Sequence, residues 1–228
     1  MGWDLWSVGR HNLRLGDVKS VAKQLSEAMD INIEYGQDRH GWSTRKVLGQ
    51  IIVHKGAPIY TLDRMLSYNY PKFELDSPDV VEQTPNDKIT YLDIYNETIS
   101  ISFKGWPWRW WHYYSFFSDE QESPSLENLN KFRRVAKEAY RKLGAEYIYC
   151  FADQGPTQLI GDYWQDPWEK LEAYILSGRY YDECEDPDYR AWKKDARIIK
   201  VSDYLSGRDT TPSINYGDVF FDDFADLE

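Results

Sequence analysis

Two carboxylates that follow an apolar run are the side chains of this sequence best placed for acid–base chemistry. The run AEYIYCFAD ends at Asp153, and Asp162 lies in the loop beyond it. Hydrolysis of a glycosidic bond uses two carboxyl groups about 5–10 Å apart. Asp153 and Asp162 are therefore the candidate catalytic carboxylates of a carbohydrate hydrolase. A plain turn at DQGP explains Asp153 without any reaction, and this is the favoured interpretation.

Aromatic side chains dominate the segment GWPWRWWHYYSFF, which spans 105–117. Alternate side chains of a strand point to opposite faces, so one phase would carry a ring at every position and the other would mix rings with proline, arginine and serine. Burial of the fully aromatic phase against helices is the favoured interpretation. The mixed phase would be half exposed, which makes Trp111 and Tyr113 candidates for contacting a partner protein or stacking on a sugar.

An acidic and aromatic segment ends the chain, reading GDVFFDDFADLE with five acids and no base. Segments of this kind are typically adhesive and become ordered when they bind. Its candidate partner-binding residues are Phe220, Phe221, Phe224, Asp222 and Asp223. The alternative is docking on its own domain, against a helix over 126–143 that carries six Lys or Arg and two Glu. The sequence does not decide between these two interpretations.

A second acidic block, YDECEDPD over 181–188, also carries five acids and no base. Asp182, Glu183 and Glu185 are candidate contacts for a basic partner. The block lacks the glycine and the terminal glutamate of a calcium-binding EF-hand loop, so we predict a solvated loop and no metal. Neighbouring carboxylates disfavour the thiolate form of a cysteine, which argues against Cys184 as a nucleophile.

Motifs for metal binding, nucleophilic catalysis and phosphate binding are absent from the sequence. The histidines at positions 11, 40, 54 and 112 are too far apart along the chain for a local zinc site. There is no nucleophile elbow, dinucleotide-binding glycine motif or Walker loop. We therefore predict no cofactor and no metal, and we favour a function other than catalysis.

Composition and charge exclude several classes of function. The 228-residue chain has a formal net charge of −11, with 29% charged and 16% aromatic residues. Phosphate groups and anionic membranes both attract basic surfaces, so direct binding to nucleic acid or to a membrane is not expected. Low cysteine use, the lack of a signal peptide and the lack of an apolar stretch of about 18 residues predict a cytoplasmic protein.

The elements that would position these side chains follow from periodicity and from capping residues. A first strand spans the alternating residues MGWDLWSVG, and Asp17 caps the helix that follows it. Alternation on both sides of Asn96-Glu97 predicts a β-hairpin.

The clearest helix begins at Ser123, which precedes a proline, and ends before Gly144. The apolar run that ends at Asp153 reads as a central strand. Asp166, which also precedes a proline, is the predicted N-cap of the helix WEKLEAYILSG.

These elements predict an α+β fold with a mostly antiparallel sheet packed by about three helices. We expect a single domain over residues 1–207, followed by a weakly structured acidic and aromatic tail over residues 208–228.

The function expected from these features is that of a non-enzymatic cytoplasmic protein that binds a basic protein partner. Acidic surfaces speed encounter with basic partners, and exposed rings supply binding hot spots. No motif identifies a family. In its size, acidity and α+β class the chain resembles the small proteins that bacteria use to inhibit their own toxins, which implies an inhibitor or immunity-type role.

Two other functions stay open. A carbohydrate-binding or carbohydrate-hydrolysing protein would use the aromatic segment 105–117 together with Asp153 and Asp162. A DNA-mimicking regulator would use acidic side chains in place of phosphates and would bind a DNA-binding protein.

Overall fold

The fold is described from a computed structural model that covers residues 4–29, 33–34, 49–63, 89–104, 123–152, 160, 163–181, 197–208 and 218–227. The strands are β1 (Asp4–Arg10), β2 (Ile33–Glu34), β3 (Gly49–Val53), β4 (Tyr60–Asp63), β5 (Ile89–Ile94), β6 (Thr98–Lys104), β7 (Ile148–Ala152), β8 (Ile198–Lys200) and β9 (Val219–Asp222). The helices are α1 (Val18–Met29), α2 (Ser123–Lys142), α3 (Trp168–Ser177) and α4 (Val201–Leu205).

The described strands form one sheet in the order β2-β3-β4-β5-β6-β1-β7-β9-β8. Six of the eight neighbouring pairs are antiparallel, and β2–β3 and β8–β9 are the parallel ones. Helices pack on both faces of this sheet. The predicted α+β class and mostly antiparallel sheet are therefore confirmed.

One face of the sheet packs against α1 and α2 and is called the helix-pair face. Its core joins apolar residues of both helices to inward-pointing residues of eight strands, among them Leu62, Leu92, Ile101 and Ile148. The other face packs against α3 and is called the α3 face. Strands β7 and β9 contribute to both cores, because neighbouring residues of a strand point to opposite faces.

The α3 face has a core rich in aromatic rings. Trp164 packs against Trp6 of β1 with 5.7 Å between ring centroids, and against Tyr95 edge-on at 6.0 Å. Apolar side chains of α3 complete this core, which also includes Val8 and Phe151. Rings at these separations contribute packing energy beyond the area that they bury.

The first helix begins where its capping residue predicts. Asp17 Oδ1 accepts hydrogen bonds from the backbone N–H groups of Lys19 and Ser20, at 3.0 and 3.1 Å. These bonds satisfy two donors that have no partner inside the helix. Val21 and Leu25, one turn apart, lie fully buried on the helix-pair face.

The long helix α2 lies against β1 at a glycine. A Cβ added at Gly9 would lie 2.9 Å from two ring carbons of Tyr140, so this position has room for glycine alone. The Tyr140 hydroxyl is 2.9 Å from Ser7 Oγ in the buried core. Gly144, with φ of +98°, ends the helix region as the sequence predicts.

The predicted hairpin joins β5 and β6 at Asn96-Glu97. Tyr95 N–H donates to Thr98 O at 2.9 Å across the turn. His11, just after β1, is tied to this hairpin because its Nε2 is 2.9 Å from Tyr95 O, while its Nδ1 accepts from Leu13 N–H at 3.0 Å. Burial lowers the pKa of His11, against the opposing effect of the bond to Tyr95. The residue after β1 is therefore hydrogen-bonded to the hairpin.

The C-terminal segment differs from the predicted weakly structured tail over residues 218–227. Val219–Asp222 lies inside the sheet, antiparallel to β7 and parallel to β8. Phe220 points into the helix-pair core and Val219 into the α3-face core. The sequence misleads here because Asp222 occupies a buried strand position, which only a buried cation makes tolerable. Residues 209–217 lie outside the described residues, and the domain boundary after residue 207 stays a prediction.

Two further observations concern the described part of the chain. Cys150 lies buried in β7, as its apolar surroundings in the sequence predict, whereas Cys184 lies outside the described residues. Among the helices that the structure describes, none has the length and apolar composition needed to cross a membrane.

Candidate functional site

An open cleft of about 430 Å³ lies on the α3 face, between the end of β1, the residues that lead into β7, and the first turns of α3. We call it the α3 cleft. The lining side chains that could contact a ligand are Arg10, Glu146, Tyr147, Trp168, Glu169 and Glu172.

Helix α3 brings two of the glutamates to the cleft. Trp168, Leu171 and Ile175 are buried at the spacing of one helix face, so the helix is fixed by its apolar stripe. Glu169 and Glu172 stand three residues apart at the side of that stripe, which places them on neighbouring turns. Gly178, with φ of +63°, ends the helix with its N–H bonded to Ile175 O.

The start of α3 differs from the sequence prediction by one residue. The N-cap is Pro167, not Asp166, and it makes no side-chain cap hydrogen bond. Glu97, from the hairpin, accepts the Trp168 N–H through Oε2 at 3.1 Å. Asp166 instead pairs with Lys170 at 2.9 Å. The hairpin therefore supplies the anion that the helix N-terminus favours, and this holds α3 in place beside β1.

An aromatic floor lies beneath the carboxylates. The Tyr147 ring is 6.1 Å from the Trp168 ring and 5.4 Å from the Phe221 ring, and the Tyr149 ring is also 5.4 Å from Phe221. Tyr147 and Phe221 are half-buried, whereas Trp168 and Tyr149 are buried. The floor is thus held rigidly from below and presents part of the Tyr147 ring to the cleft.

Glu172 is fixed by two phenol groups. Tyr147 and Tyr149 both donate their hydroxyl protons to Glu172 Oε1, at 2.7 and 2.9 Å. Burial, and then the hydrogen bond to Glu172, raise the pKa of both tyrosines above the ordinary phenol value. The phenols therefore stay protonated at neutral pH, and the glutamate side chain keeps one orientation.

Arg10 is the cation of the α3 cleft among the described residues that line it. Its Nη1 donates to Glu169 Oε1 at 3.2 Å, and its Nη2 is 3.9 Å from Glu97 Oε2. The arginine side chain is 53% exposed and that of Glu169 is 70% exposed. Exposed pairs of this kind contribute only about 0–1 kcal/mol, so the arrangement is loosely held.

A second arginine lies in a buried cluster on the helix-pair face, formed by Arg133, Asp222 and Asp226 and called the Arg133 clamp. Arg133 Nε and Nη2 donate to the two Asp222 oxygens at 2.7 and 2.9 Å. Its Nη1 and Nη2 donate to the two Asp226 oxygens at 2.8 and 2.5 Å. Burial alone would lower the pKa of Arg133, but these bonds raise it above its usual value. The clamp fastens the C-terminal segment to α2.

Other basic side chains pair with the rest of the C-terminal segment. Lys200 binds Asp223 at 2.6 Å, and Arg197 binds Asp218 through its backbone N–H at 2.8 Å. Lys137 Nζ donates to the carbonyl oxygen of Leu227. The aspartates of residues 218–227 therefore all have partners inside the chain.

The structure brings together the tail residues that the sequence nominates for partner binding, but it surrounds most of them with protein. Phe220 and Phe224 are buried in the helix-pair core, and Asp222 belongs to the Arg133 clamp. Phe221 lies under Tyr147 and Asp223 pairs with Lys200. Partner contact through the buried residues stays a prediction, and it would require β9 to leave the sheet.

The remaining candidate residues cannot be placed in this site, because they lie outside the described residues. They are Trp111, Tyr113, Asp153, Asp162, Asp182, Glu183 and Glu185. Their predicted roles in sugar or partner binding stay predictions.

A hydrogen-bonded histidine, threonine and aspartate lie at the other end of the sheet. Thr61 Oγ1 donates to Asp93 Oδ1 at 2.6 Å, and His54 Nε2 is 2.8 Å from the same hydroxyl. Because the threonine proton points to Asp93, the histidine N–H must donate to Thr61. In a catalytic triad the nucleophile donates its proton to the histidine. The hydrogen bonds here run in the opposite direction, so they link neighbouring strands and do not activate the threonine hydroxyl.

Clusters of three or more histidine, cysteine, aspartate or glutamate side chains with metal-binding geometry do not occur in the described part of the chain. The three glutamates of the α3 cleft therefore do not form such a cluster. They line an open cleft, where a cationic group of a ligand can reach them.

Comparison of the chain with protein families, curated proteins and solved structures finds no match in any of the three. The function is therefore argued from the geometry of the α3 cleft.

Sequence reasoning missed Arg10, Glu146, Tyr147, Glu169 and Glu172 as site residues. A signal for the glutamates was present, because Glu169 and Glu172 are three residues apart in a helix whose apolar stripe is plain. Arg10 and Glu169 are 159 residues apart, and no local pattern links them.

Proposed function

We propose that this chain is a binding protein whose α3 cleft receives a basic segment of a protein partner. One observation carries the proposal: Glu146, Glu169 and Glu172 line an open cleft above the aromatic floor. Among the described residues that line this cleft, Arg10 is the only one with a positive charge. The described lining thus holds three carboxylates against one guanidinium group, so a further cation finds acceptors that are not neutralised.

The chemistry of the cleft suits a cationic side chain. Carboxylates that are fixed before binding lose little conformational freedom on contact, and Glu172 is fixed by its two phenol donors. The exposed part of the Tyr147 ring can pack against an alkyl stem or take a cation over its face. The formal net charge of −11 attracts a basic partner from a distance and accelerates encounter.

The inhibitor or immunity-type role is a specific form of this proposal, in which the basic partner is a toxin and the complex forms in the cytoplasm. DNA mimicry is another form, in which the partner is a DNA-binding protein. Both forms use the same cleft chemistry. A carbohydrate-directed function rests instead on residues outside the described part, and no observation in the cleft favours it over the binding of a basic partner.

The proposal is tested with a hexa-arginine peptide and backbone amide NMR spectra of the ¹⁵N-labelled full chain at low salt. We expect chemical-shift changes to concentrate on residues 144–147 and on the first turns of α3. The double variant Glu146→Gln/Glu169→Gln should weaken binding about two- to tenfold, because each exposed ion pair contributes up to about 1 kcal/mol.

The matched control is the double variant Glu27→Gln/Glu138→Gln. These glutamates lie on α1 and α2, are 67% and 66% exposed, and each pairs with a lysine one turn away. The control changes the net charge equally, so it isolates the effect of position. Equal weakening by the two double variants, or shifts scattered over the acidic surface, would contradict a binding site at the α3 cleft.

A further inference from the structure

Arg10 reaches into the α3 cleft from the last position of β1. Its backbone is fixed by the ladder, where Arg10 pairs with Thr98 of β6. Its guanidinium group is not fixed in the same way. It makes one hydrogen bond of 3.2 Å to Glu169 and one longer ionic contact of 3.9 Å to Glu97, and it is half exposed to solvent.

The contacts of Arg10 are those that a partner's arginine would make in the same place. Two terminal nitrogens of one guanidinium group face carboxylates from two different elements, the hairpin and α3. Glu97 also accepts the Trp168 N–H, so it keeps a second contact when Arg10 moves. Glu169 lies in the first turn of α3, and its side chain is 70% exposed and therefore accessible to a partner.

We infer that Arg10 is an internal stand-in for the ligand, and that an arginine side chain of the partner displaces it when the complex forms. This inference rests on the proposed function and adds the identity of the recognised side chain and a competitor built into the site. In the free protein Arg10 then partly neutralises Glu97 and Glu169, and the partner must compete with this weak internal contact.

Arginine fits this exchange better than lysine. A guanidinium group is planar and presents several N–H groups in a fixed fork, so it can bridge carboxylates that approach from different directions. An ammonium group is compact and strongly hydrated, and it bridges such a pair less well. The bridging geometry of Arg10 between Glu97 and Glu169 is the one that selects arginine.

The test compares the affinities of hexa-arginine and hexa-lysine peptides for the wild-type chain, Arg10→Gln and Lys170→Gln, measured by calorimetry at low salt. Lys170 is the matched control, because it is 66% exposed, lies beside Glu169 in sequence and pairs with Asp166 outside the cleft. We expect Arg10→Gln to bind hexa-arginine about two- to fivefold more tightly than the wild type, since one exposed contact is removed from the competition.

Lys170→Gln should increase the affinity for hexa-arginine less, because it makes the same change in net charge but leaves Arg10 in place. Hexa-arginine should also bind the wild type more tightly than hexa-lysine does. Unchanged or weaker binding by Arg10→Gln, an equal gain by Lys170→Gln, or equal affinity for the two peptides would overturn the inference.

Failure of the inference is distinguishable from failure of the proposed function. If Glu146→Gln/Glu169→Gln weakens peptide binding and Arg10→Gln does not strengthen it, the cleft binds a basic segment without exchanging Arg10. If Glu146→Gln/Glu169→Gln has no more effect than its control, the cleft is not the binding site and both proposals fail.

Discussion

Two arginines of this protein each face two carboxylates, yet their surroundings are opposite. Arg133 has no exposed side-chain surface and makes four hydrogen bonds of 2.5–2.9 Å to Asp222 and Asp226. Arg10 is 53% exposed and makes one hydrogen bond of 3.2 Å and one contact of 3.9 Å. Contacts between a guanidinium group and carboxylates thus fasten two elements together in one region and are only loose in the other.

Desolvation explains the difference. Removal of a charge from water costs several kcal/mol, so a buried arginine is tolerated only with complete pairing, and loss of one partner is strongly destabilising. An exposed arginine keeps much of its hydration, and its ion pairs contribute little. We therefore expect the Arg133 clamp to hold the fold and Arg10 to be available for exchange with a ligand.

The largest expected effect is that of Arg133→Met, which leaves Asp222 buried without a counter-charge. We expect the free energy of unfolding to fall by about 3–5 kcal/mol. The matched variant Arg10→Met should lower it by less than about 1 kcal/mol. Urea denaturation of both variants measures these values. Similar decreases in the free energy of unfolding for the two variants would show that burial does not determine how much each arginine contributes to stability.

Much of the fold could be predicted from the sequence because its signals are local. Asp17 begins a helix, Asn96-Glu97 forms a hairpin turn and Gly144 ends a helix, and each acts on residues within one or two turns. The place of β9 could not be predicted, because Asp222 reads as a surface residue until Arg133, 89 residues away, is known to be buried beside it.

The candidate site was less predictable than the fold for the same physical reason. The sequence nominated the acidic residues with the strongest local pattern, and those of residues 218–227 are neutralised by basic residues of other elements. The α3 cleft instead combines residues of β1, of the segment before β7 and of α3. Their proximity depends on the strand order, which no local pattern reports.

The second expected effect compares the two aspartates of the clamp. Asp222 is 1% exposed and accepts two bonds from Arg133 and one from the Phe224 N–H, whereas Asp226 is 33% exposed. Asp222→Asn should lower the free energy of unfolding by about 2–3 kcal/mol, and Asp226→Asn by about 1 kcal/mol. Chemical denaturation at pH 7 gives both values. A larger loss from Asp226→Asn would contradict the view that burial sets the contribution.

The third effect is the pH dependence of the clamp. The hydrogen bond from Arg133 lowers the pKa of Asp226 below the ordinary value of an aspartate side chain. A carboxyl with a lowered folded pKa stabilises the fold above its unfolded pKa, and this contribution is lost as the pH falls through the folded value. The stability difference between the wild type and Asp226→Asn should therefore be constant above about pH 5 and shrink below pH 4.

Denaturation of both proteins from pH 7 to pH 2.5 measures that difference. A gap that stays constant down to the lowest pH would mean that the Asp226 charge does not contribute to stability.

The smallest expected effect is the coupling between Arg10 and Glu169. A double-mutant cycle of Arg10→Gln and Glu169→Gln should give about 0.2–1 kcal/mol at low salt and nearly zero at 1 M NaCl, because salt screens exposed pairs. The cycle of Arg133→Met and Asp226→Asn should keep most of its coupling at 1 M NaCl. Loss of both couplings in salt would contradict the contrast between the two arginines.

Whether Arg10 is exchangeable while Arg133 is fixed can be measured in one sample, from the side-chain Nε–Hε signals of the two arginines in the full chain. During titration with hexa-arginine, we expect the Arg10 signal to shift and its hydrogen exchange with water to accelerate, while the Arg133 signal keeps its position and its slow exchange. An Arg10 signal that stays unchanged while the peptide binds at the α3 cleft would contradict displacement of Arg10 by the ligand.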